Sequence, residues 1–383
     1  MNQNIKDSSR RYQACTRCIM DTASDKNILF DEEGVCNHCR RYENMFSTRV
    51  ANGEAGKVVL DSLVDKIKLE GKGNDYDCIV GVSGGVDSTY VAWMVKKLGL
   101  RPLAVHLDNG WNSELAVKNI EQVLTKLGID LLTHVLDWEE FRDLQLSFLK
   151  ASTPDGEIPS DHAISALLWR EAVKRNVKYI ISGMNFTTES IYVPDWAYGH
   201  SDWKYIKSIH SKFGKVKLRS YPHFSLIYLI YINILRRVRI ISILNYIDYN
   251  KKDAMDLLNK ELGWHYYGGK HHESIYTRFY QGYLLPKKFG IDKRYGHLSD
   301  LINAGQISRE DALLEVKGPP YSELLQQEDR VYVCKKLLLK DEQFDEILAM
   351  PVKSFRDYKN SFALVNLLKV VVNFLRKLGL YPR

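Results

Sequence analysis

Short apolar runs, each closed by Gly or Asp, recur through the middle of the chain, and stretches of helical periodicity separate them. CIVGVSG (78–84), PLAVHLD (102–108), LLTHVLD (131–137) and YIISGMN (179–185) each read as a strand running into a turn. Between them, Ser88 to Leu98, Ser113 to Leu127 and Ala163 to Arg175 space apolar residues three and four apart, as amphipathic helices do. Strands alternating with helices predict βαβ units, and so an α/β fold class with a Rossmann-like parallel sheet buried on both faces. VRIISILNYI (238–247) is expected to supply a fifth strand. The longest apolar run, Phe224 to Leu235, abuts Arg236 and Arg237. It is too short for a bilayer crossing, which needs about 20 residues. For Phe224 to Ile241, with Arg236, Arg237 and Arg239, two readings remain, an interfacial membrane helix and a buried helix and strand with a basic rim, and we expect the second.

After Trp264 the texture changes to WHYYGGKHHESIYTRFYQGYLLPKKFGIDKRYGHLSDL, aromatic, basic and rich in Gly. Helical patterns return at Ser308 to Val316, Tyr321 to Lys340 and Phe355 to Leu378. Three units are expected: a cysteine-rich module over 1–50, a nucleotide-type α/β domain over 51–250, and a basic, aromatic segment with a helical C-terminal region over 251–383.

Composition changes this picture little. With 383 residues, 45% hydrophobic and 26% charged, the chain is globular in character, not disordered or collagen-like. Lys plus Arg is 54 against 47 Asp plus Glu, a net charge of +7 that suits an anionic ligand but is weak for a DNA-coating protein. Six cysteines are too few for a disulfide-built fold, and no signal-type apolar segment follows Met1, so a cytoplasmic protein is expected.

Four of those cysteines form two knuckles, Cys15-x-x-Cys18 and Cys36-x-x-Cys39. Two such turns close a tetrahedron of thiolates, the donor set and spacing of a zinc-ribbon-like site. A closed four-thiolate site leaves no position for substrate, so the zinc is expected to be structural. Redox pairs or free thiols are the plainer alternative, and His38 inside the second knuckle could replace a cysteine.

The central motif is Ser83-Gly84-Gly85-Val86-Asp87-Ser88, where the first strand turns into a helix. Glycines let the backbone approach an anion, and the new helix directs unpaired N–H groups and its positive dipole end at it. Ser83 and Ser88 add hydroxyls. Asp87 would repel phosphate unless Mg²⁺ lies between them. GxxxxGK[ST] and GxGxxG are both absent. Asp108 and Asn109 close the second strand, and Gly183 and Asn185 the fourth, so all four are candidates to converge on the loop.

The string SGGVDS resembles the PP-loop of the ATP pyrophosphatases, enzymes of the adenine nucleotide alpha hydrolase-like fold that hold released pyrophosphate in this loop and transfer AMP to a substrate oxygen. Three further segments resemble one branch of that group, the N-acetyl sugar amidotransferases of surface-polysaccharide biosynthesis (WbpG/PseA-like). They are CTRCIMD with CNHC, EIPSDHAISALLWREAVK with YIISGMNFTTES, and YGGKHHESIYTRFYQGYLLPKKFGIDKR. The resemblance runs from Cys15 to about Glu315 and is weak in the C-terminal tail. It implies an ATP-dependent, AMP-forming conversion of an acetamido group on a UDP-N-acetyl sugar into an acetamidino group, for lipopolysaccharide O-antigen or a related glycan. It also implies ammonia from a separate glutaminase, in a two-part synthase of HisH-like and HisF-like subunits. It implies no nucleic-acid partner and is compatible with a homo-oligomer.

Within that reading, ATP and pyrophosphate are expected on Ser83, Gly84, Gly85, Val86, Asp87, Ser88, Asp108, Asn109, Gly183 and Asn185, with Mg²⁺ on Asp87. Asp87, Ser88 and Lys288 are the expected catalytic groups. Glu157, Asp161 and His162 follow Pro154 and are candidates for sugar hydroxyls or for the incoming ammonium. Lys270, Arg278, Lys287, Lys293 and Arg294 are candidates for phosphate or the sugar nucleotide, and His271, His272 and Glu273 for the substrate. For each of these a solvated basic face is the plain alternative. Trp264, Tyr266, Tyr267, Tyr276, Tyr280 and Tyr283 could stack a uracil or simply pack. Two other readings stay open: a tRNA-modifying 2-thiolase of the same superfamily, for which only Cys78 and Cys334 remain as thiols, and a non-enzymatic scaffold bridging partners through the zinc module.

Overall fold

The computed structural model describes residues 11–269 and 271–377. The cysteine knuckles come first, followed by α1 (Asn37–Arg49) and α2 (Gly53–Glu70). The sheet then begins with β1 (Cys78–Gly81), α3 (Val86–Lys97), β2 (Pro102–Asp108), α4 (Glu114–Leu127) and β3 (Asp130–Val135). Next come α5 (Trp138–Ala151), α6 (Ile158–Lys174), β4 (Tyr179–Ser182), α7 (Trp203–Phe213), α8 (Leu226–Ile230) and β5 (Arg239–Ser242). All neighbouring strands pair in parallel, in the order β3-β2-β1-β4-β5. This is a doubly wound α/β sheet, and its strand order reverses between β1 and β4, the place where such sheets open a ligand crevice.

Alternation along the strands explains why both faces are apolar. Ile79, Leu103, Val105 and Ile180 pack on one side with Leu167 of α6 and Phe141 of α5. Cys78, Val80, Ala104 and Ile181 pack on the other with Val91, Ile120 and Val64 of α3, α4 and α2. Beyond β5 lie α9 (Lys251–Leu262), α10 (Ile275–Phe279) continued by wide π-type turns over Tyr280–Phe289, then α11 (Arg294–Asn303), α12 (Arg309–Lys317), α13 (Glu323–Lys336), α14 (Asp341–Ala349) and α15 (Phe362–Lys377). The cysteine module packs back on this late region: Arg309 donates to the carbonyl oxygens of Cys18 and Cys15, and the Ile19 N–H donates to Ser299.

One expectation is corrected. The run 224–235 is not a buried helix. Phe224 and Ile232 are buried, but Ile227 is 79% exposed and Leu235 72%, with Ile230 and Ile234 about half exposed. The segment is α8 followed by π-type turns over Tyr231–Arg236, and it lies on the surface. No helix among the described residues is long and apolar enough to cross a membrane.

Candidate active site and metal centre

The turn after β1 is shaped by glycine where nothing else fits. Gly84 has φ +82°, and a Cβ there would sit 2.7 Å from the Ala116 carbonyl oxygen. A Cβ on Gly183, at the end of β4, would lie 3.0 Å from the Asp87 carbonyl carbon and the Ser88 nitrogen. The first helical turn of α3 therefore packs directly on the β4 turn at the switch point. Inside the loop, the Gly85 N–H donates to Ser83 Oγ (3.2 Å), the Ser83 N–H to Ser88 Oγ (3.3 Å), and Ser88 Oγ–H to the Gly85 carbonyl (3.1 Å).

The late aromatic segment closes over this loop. Trp264 Nε1 donates to the Gly84 carbonyl oxygen at 3.0 Å, and the Val86 N–H donates to the Tyr267 hydroxyl at 3.2 Å. A cavity of about 200 Å³ remains, lined by Ser83, Gly85, Val86, Asp87, Ser88, Ser182, Gly183, Met184, Glu189, Lys251, Tyr267, His271 and Glu273. Tyr249, just outside it, donates its hydroxyl to Asp87 Oδ1. Burial, then Asp87, drives the Tyr249 hydroxyl pKa far up, so the phenol keeps the proton it donates. Burial pushes the Glu273 carboxyl pKa up, but His271 at 3.7 Å and the more distant Lys251 outweigh it, and the group is held below its ordinary value. Glu273 Oε2 is buried without a hydrogen-bond partner. Three carboxylates around a phosphate cradle, one with an orphan oxygen, fit a divalent cation such as Mg²⁺, which accepts oxygen ligands.

The structure brings Ser83, Gly85, Val86, Asp87, Ser88, Gly183, His271 and Glu273 into this cavity. Beside it, Glu157 accepts from Lys293 Nζ and Gln281 Nε2, each at 2.9 Å. Asp161 is exposed in the first turn of α6.

Other candidates are used elsewhere. Asp108 accepts from the Gly110 N–H and Asn112, and Asn109 donates to Ser160 and accepts from the Trp111 N–H, so both shape the β2–α4 turn. Asn185 folds back on Thr188. His162 is fully buried between Phe224 and Trp203, accepts the Phe224 N–H at Nε2 and donates from Nδ1 to the His200 carbonyl, which fixes the neutral tautomer. Burial lowers its pKa to about 3. Lys288 spans the carbonyl oxygens of Ile347, Leu348 and Met350 at the end of α14, where a cation suits the helix dipole, so its ammonium is a helix-end cap and does not reach the loop. Arg278 is bidentate on Asp329, and Arg294 holds Asp292 and the last carbonyls of α12. Lys287 lies over its own helix neighbour Tyr283. His272 packs on Tyr321, its pKa lowered to about 4 by burial first and then by Arg278. Lys270 lies outside the described residues. Of the aromatics, Trp264, Tyr276 and Tyr280 pack in the interior, while Tyr266 is 54% exposed.

Sequence reasoning missed Tyr249, Lys251 and Glu189. Tyr249 and Lys251 flank Asn250, which caps α9 just beyond the carboxyl end of β5, and that position was the available signal.

The four knuckle cysteines are fully buried, and their Sγ atoms all lie within 4.8 Å of one another. Cys15–Cys39 and Cys18–Cys36 approach to 4.0 and 3.7 Å. A tetrahedron with ~2.3 Å Zn–S bonds has edges of about 3.8 Å, so the donor set fits zinc. Backbone N–H groups of Arg17, Met20 and Cys36 donate to these sulfurs, as they do around metal thiolates. His38 is not a donor in this set: it pairs with buried Asp25 at 2.8 Å.

A loop reading SGGVDS at the switch point of a parallel sheet is the arrangement expected of the PP-loop proteins that the motif resembles. Residues 273–371 match the family described as LPS biosynthesis protein WbpG-like, C-terminal domain. The match starts at Glu273 itself and runs on through α13 and α14 into α15, further into the C-terminal helices than the motifs alone suggest. A GMP synthase (glutamine-hydrolyzing) of Pyrobaculum aerophilum is 34% identical over 128 residues, 32% of this chain and 23% of that protein. A tRNA(Ile)-lysidine synthase of Chlamydia pneumoniae is 33% identical over 70 residues, 18% of this chain and 22% of that protein. The chain thus spans under a quarter of the length of either relative. The NMN synthetase structure of Francisella tularensis, at 14% identity and a TM-score of 0.29 over 60% of this chain and 93% of that one, is too loose a likeness to carry an argument.

Proposed function

We propose that the protein is an ATP-dependent, AMP-forming amidotransferase acting on a UDP-N-acetyl sugar destined for lipopolysaccharide O-antigen or a related surface glycan. The observation that carries this reading is the SGGVDS turn itself, which sits at the switch point and lacks a Walker lysine, in a chain whose later part is WbpG-like. The acetamido oxygen attacks the α-phosphorus of ATP, the bond to the β-phosphate breaks, and pyrophosphate leaves as the amide nitrogen loses its proton. Ammonia then adds to the O-adenylyl imidate carbon, and AMP departs with the former carbonyl oxygen to leave the acetamidine. An amide carbonyl is a poor electrophile, so adenylation is what makes its oxygen a leaving group.

Little acid–base chemistry is required, and the residues act mainly by alignment and charge. Loop N–H groups, Ser83 and Ser88 hold the pyrophosphate, Lys251 adds a cation at the α9 N-terminus, and Asp87 with Glu273 would hold Mg²⁺. Bound there, the cation would neutralise phosphate charge. Glu157, Lys293 and Asp161 would meet the nucleotide part of the substrate. In this proposal residues 1–50 are a zinc module, 51–250 the ATP domain and 251–383 the substrate segment. The protein works in the cytoplasm, where a HisH-like glutaminase and a HisF-like synthase subunit supply ammonia, which is also the logic suggested by the glutamine-hydrolyzing relative. Sulfur transfer lacks a thiol at the cavity: Cys78 is fully buried in the sheet, its pKa raised by burial, and Cys334 lies in α13.

The test is mass spectrometry of UDP-N-acetyl sugars incubated with the protein, ATP, Mg²⁺ and ammonium. Replacement of O by NH in the sugar, with matching AMP and pyrophosphate, is the expected result. AMP release that follows tRNA instead of the sugar would overturn it.

A further inference from the structure

A second cavity, about 760 Å³, lies where the cysteine module meets the nucleotide domain. It falls within the roughly 300–1,000 Å³ range of sites that enclose a small ligand, which the phosphate-loop cavity does not. Its walls come from the first cysteine knuckle and α1, from the turns after β4 and β5, and from the end of α11. It therefore opens at the carboxyl ends of the strands, next to the phosphate loop. Two elements link the cavities. Tyr249 lines this one while its hydroxyl rests on Asp87, and the turn after β4 gives Thr187 to this cavity and Gly183 and Glu189 to the other.

Two wall residues carry polar groups with nothing to bond. Tyr42, 5% exposed, is pinned between Phe46 and Phe186 at ring distances of 5.5 and 5.3 Å, and its hydroxyl has no hydrogen-bond partner. On α11, both amide atoms of Asn303 are buried and unpaired. Leaving such groups unsatisfied is costly, and native structures retain them mainly where a ligand, ion or water completes them. Together these water-shielded atoms supply donors and an acceptor but no charge. The guanidinium in the wall, Arg17, is occupied by Glu43 at 2.5 Å, and Asp248 adds an acid, so the lining does not suit phosphate.

We propose that this cavity is the acceptor subsite, holding the neutral, amide-bearing sugar through Asn303 and the Tyr42 hydroxyl while the phosphates stay outside, so that the cysteine module forms a substrate wall. The assignment rests on the amidotransferase reading above and deepens it. Saturation-transfer NMR on the full chain, with UDP-N-acetylglucosamine, UDP-N-acetylgalactosamine and ATP as separate probes, tests it. Transfer to the N-acetyl methyl of at least one sugar probe is expected, falling at least fivefold in Tyr42→Phe and in Asn303→Leu, while transfer to the adenine protons of ATP is unchanged. Because each substitution removes an unpaired polar group, Tm should hold or rise, whereas a structural role would lower it. Loss of the adenine signal in the variants would instead place adenosine here and overturn the proposal. So would wild-type transfer to neither N-acetyl methyl, unchanged sugar signals in both variants, or a lowered Tm. Failure of the amidotransferase reading shows differently, as no AMP formation from a sugar that still binds.

Discussion

In the proposed chemistry Asp87 is the central residue, and Tyr249 helps to hold it. A buried phenol donating to a carboxylate fixes the orientation of the Asp87 side chain. Asp87→Ala should abolish AMP formation while leaving the circular-dichroism spectrum intact. Tyr249→Phe should keep the carboxylate but loosen it. Loss of a hydrogen bond to a charged group is worth about 1.5–3 kcal/mol, so AMP formation should fall roughly ten- to a hundredfold. Unchanged rates in either variant would remove this pair from the mechanism. His162 makes a different prediction. Its folded pKa of about 3 lies below the ordinary histidine value, so the unfolded chain binds the extra proton first as pH falls. Stability should therefore decline below pH ~6.5, by about 2 kcal/mol at pH 5 from this one site. Denaturant melts of His162→Gln should show a shallower acid limb. The motif Asp161-His162 was legible as chemistry, but a histidine whose two nitrogens meet backbone groups far away, at His200 and Phe224, cannot be told from a ligand by local sequence. Lys288 shows the same limit, because its helix-end partners lie some sixty residues downstream.

At the scale of elements, the knuckles and the sheet were plain in the sequence because their signals are local: cysteine spacing, and apolar runs closed by Gly or Asp. The exposed helix over 226–236 was not. Apolar composition reports a preference for burial, and nothing local shows that the chain leaves that face outward. The knuckles also make contacts that their spacing does not announce. Arg309 and Ser299 bind their backbone from α12 and α11, and Trp196 donates to the Ser24 carbonyl. About one zinc per chain is expected on metal analysis. Removal by chelator, or Cys36→Ser, should speed amide exchange in α11 and α12 as well as in residues 15–39. Exchange confined to the knuckles, or protein that never held zinc, would count against the metal reading.

For the molecule as a whole, the parallel sheet and the position of the phosphate loop followed from the alternation of elements, but the strand order and the closure of the loop by residues 180 positions away did not. Trp264 and Tyr267 bond the Gly84 carbonyl and the Val86 N–H, and Glu273 Oε1 would lie 3.2 Å from a Cβ on Gly85. A carboxylate and a phenol thus occupy the approach that a triphosphate needs, and about 200 Å³ is too little room for a nucleotide. On the proposed reading ATP binds once Tyr267 and Glu273 withdraw or rotate, with Tyr267 giving up the Val86 N–H to phosphate. Adding ATP and Mg²⁺ should therefore change amide exchange across 264–273 and shift the emission of Trp264, a change that a Trp264→Phe variant isolates from the other tryptophans. Tyr267→Phe removes the competing acceptor and should lower the Kd for ATP severalfold. If ATP binds with no change in that segment, the nucleotide enters by another face, and the loop closure seen here is permanent architecture.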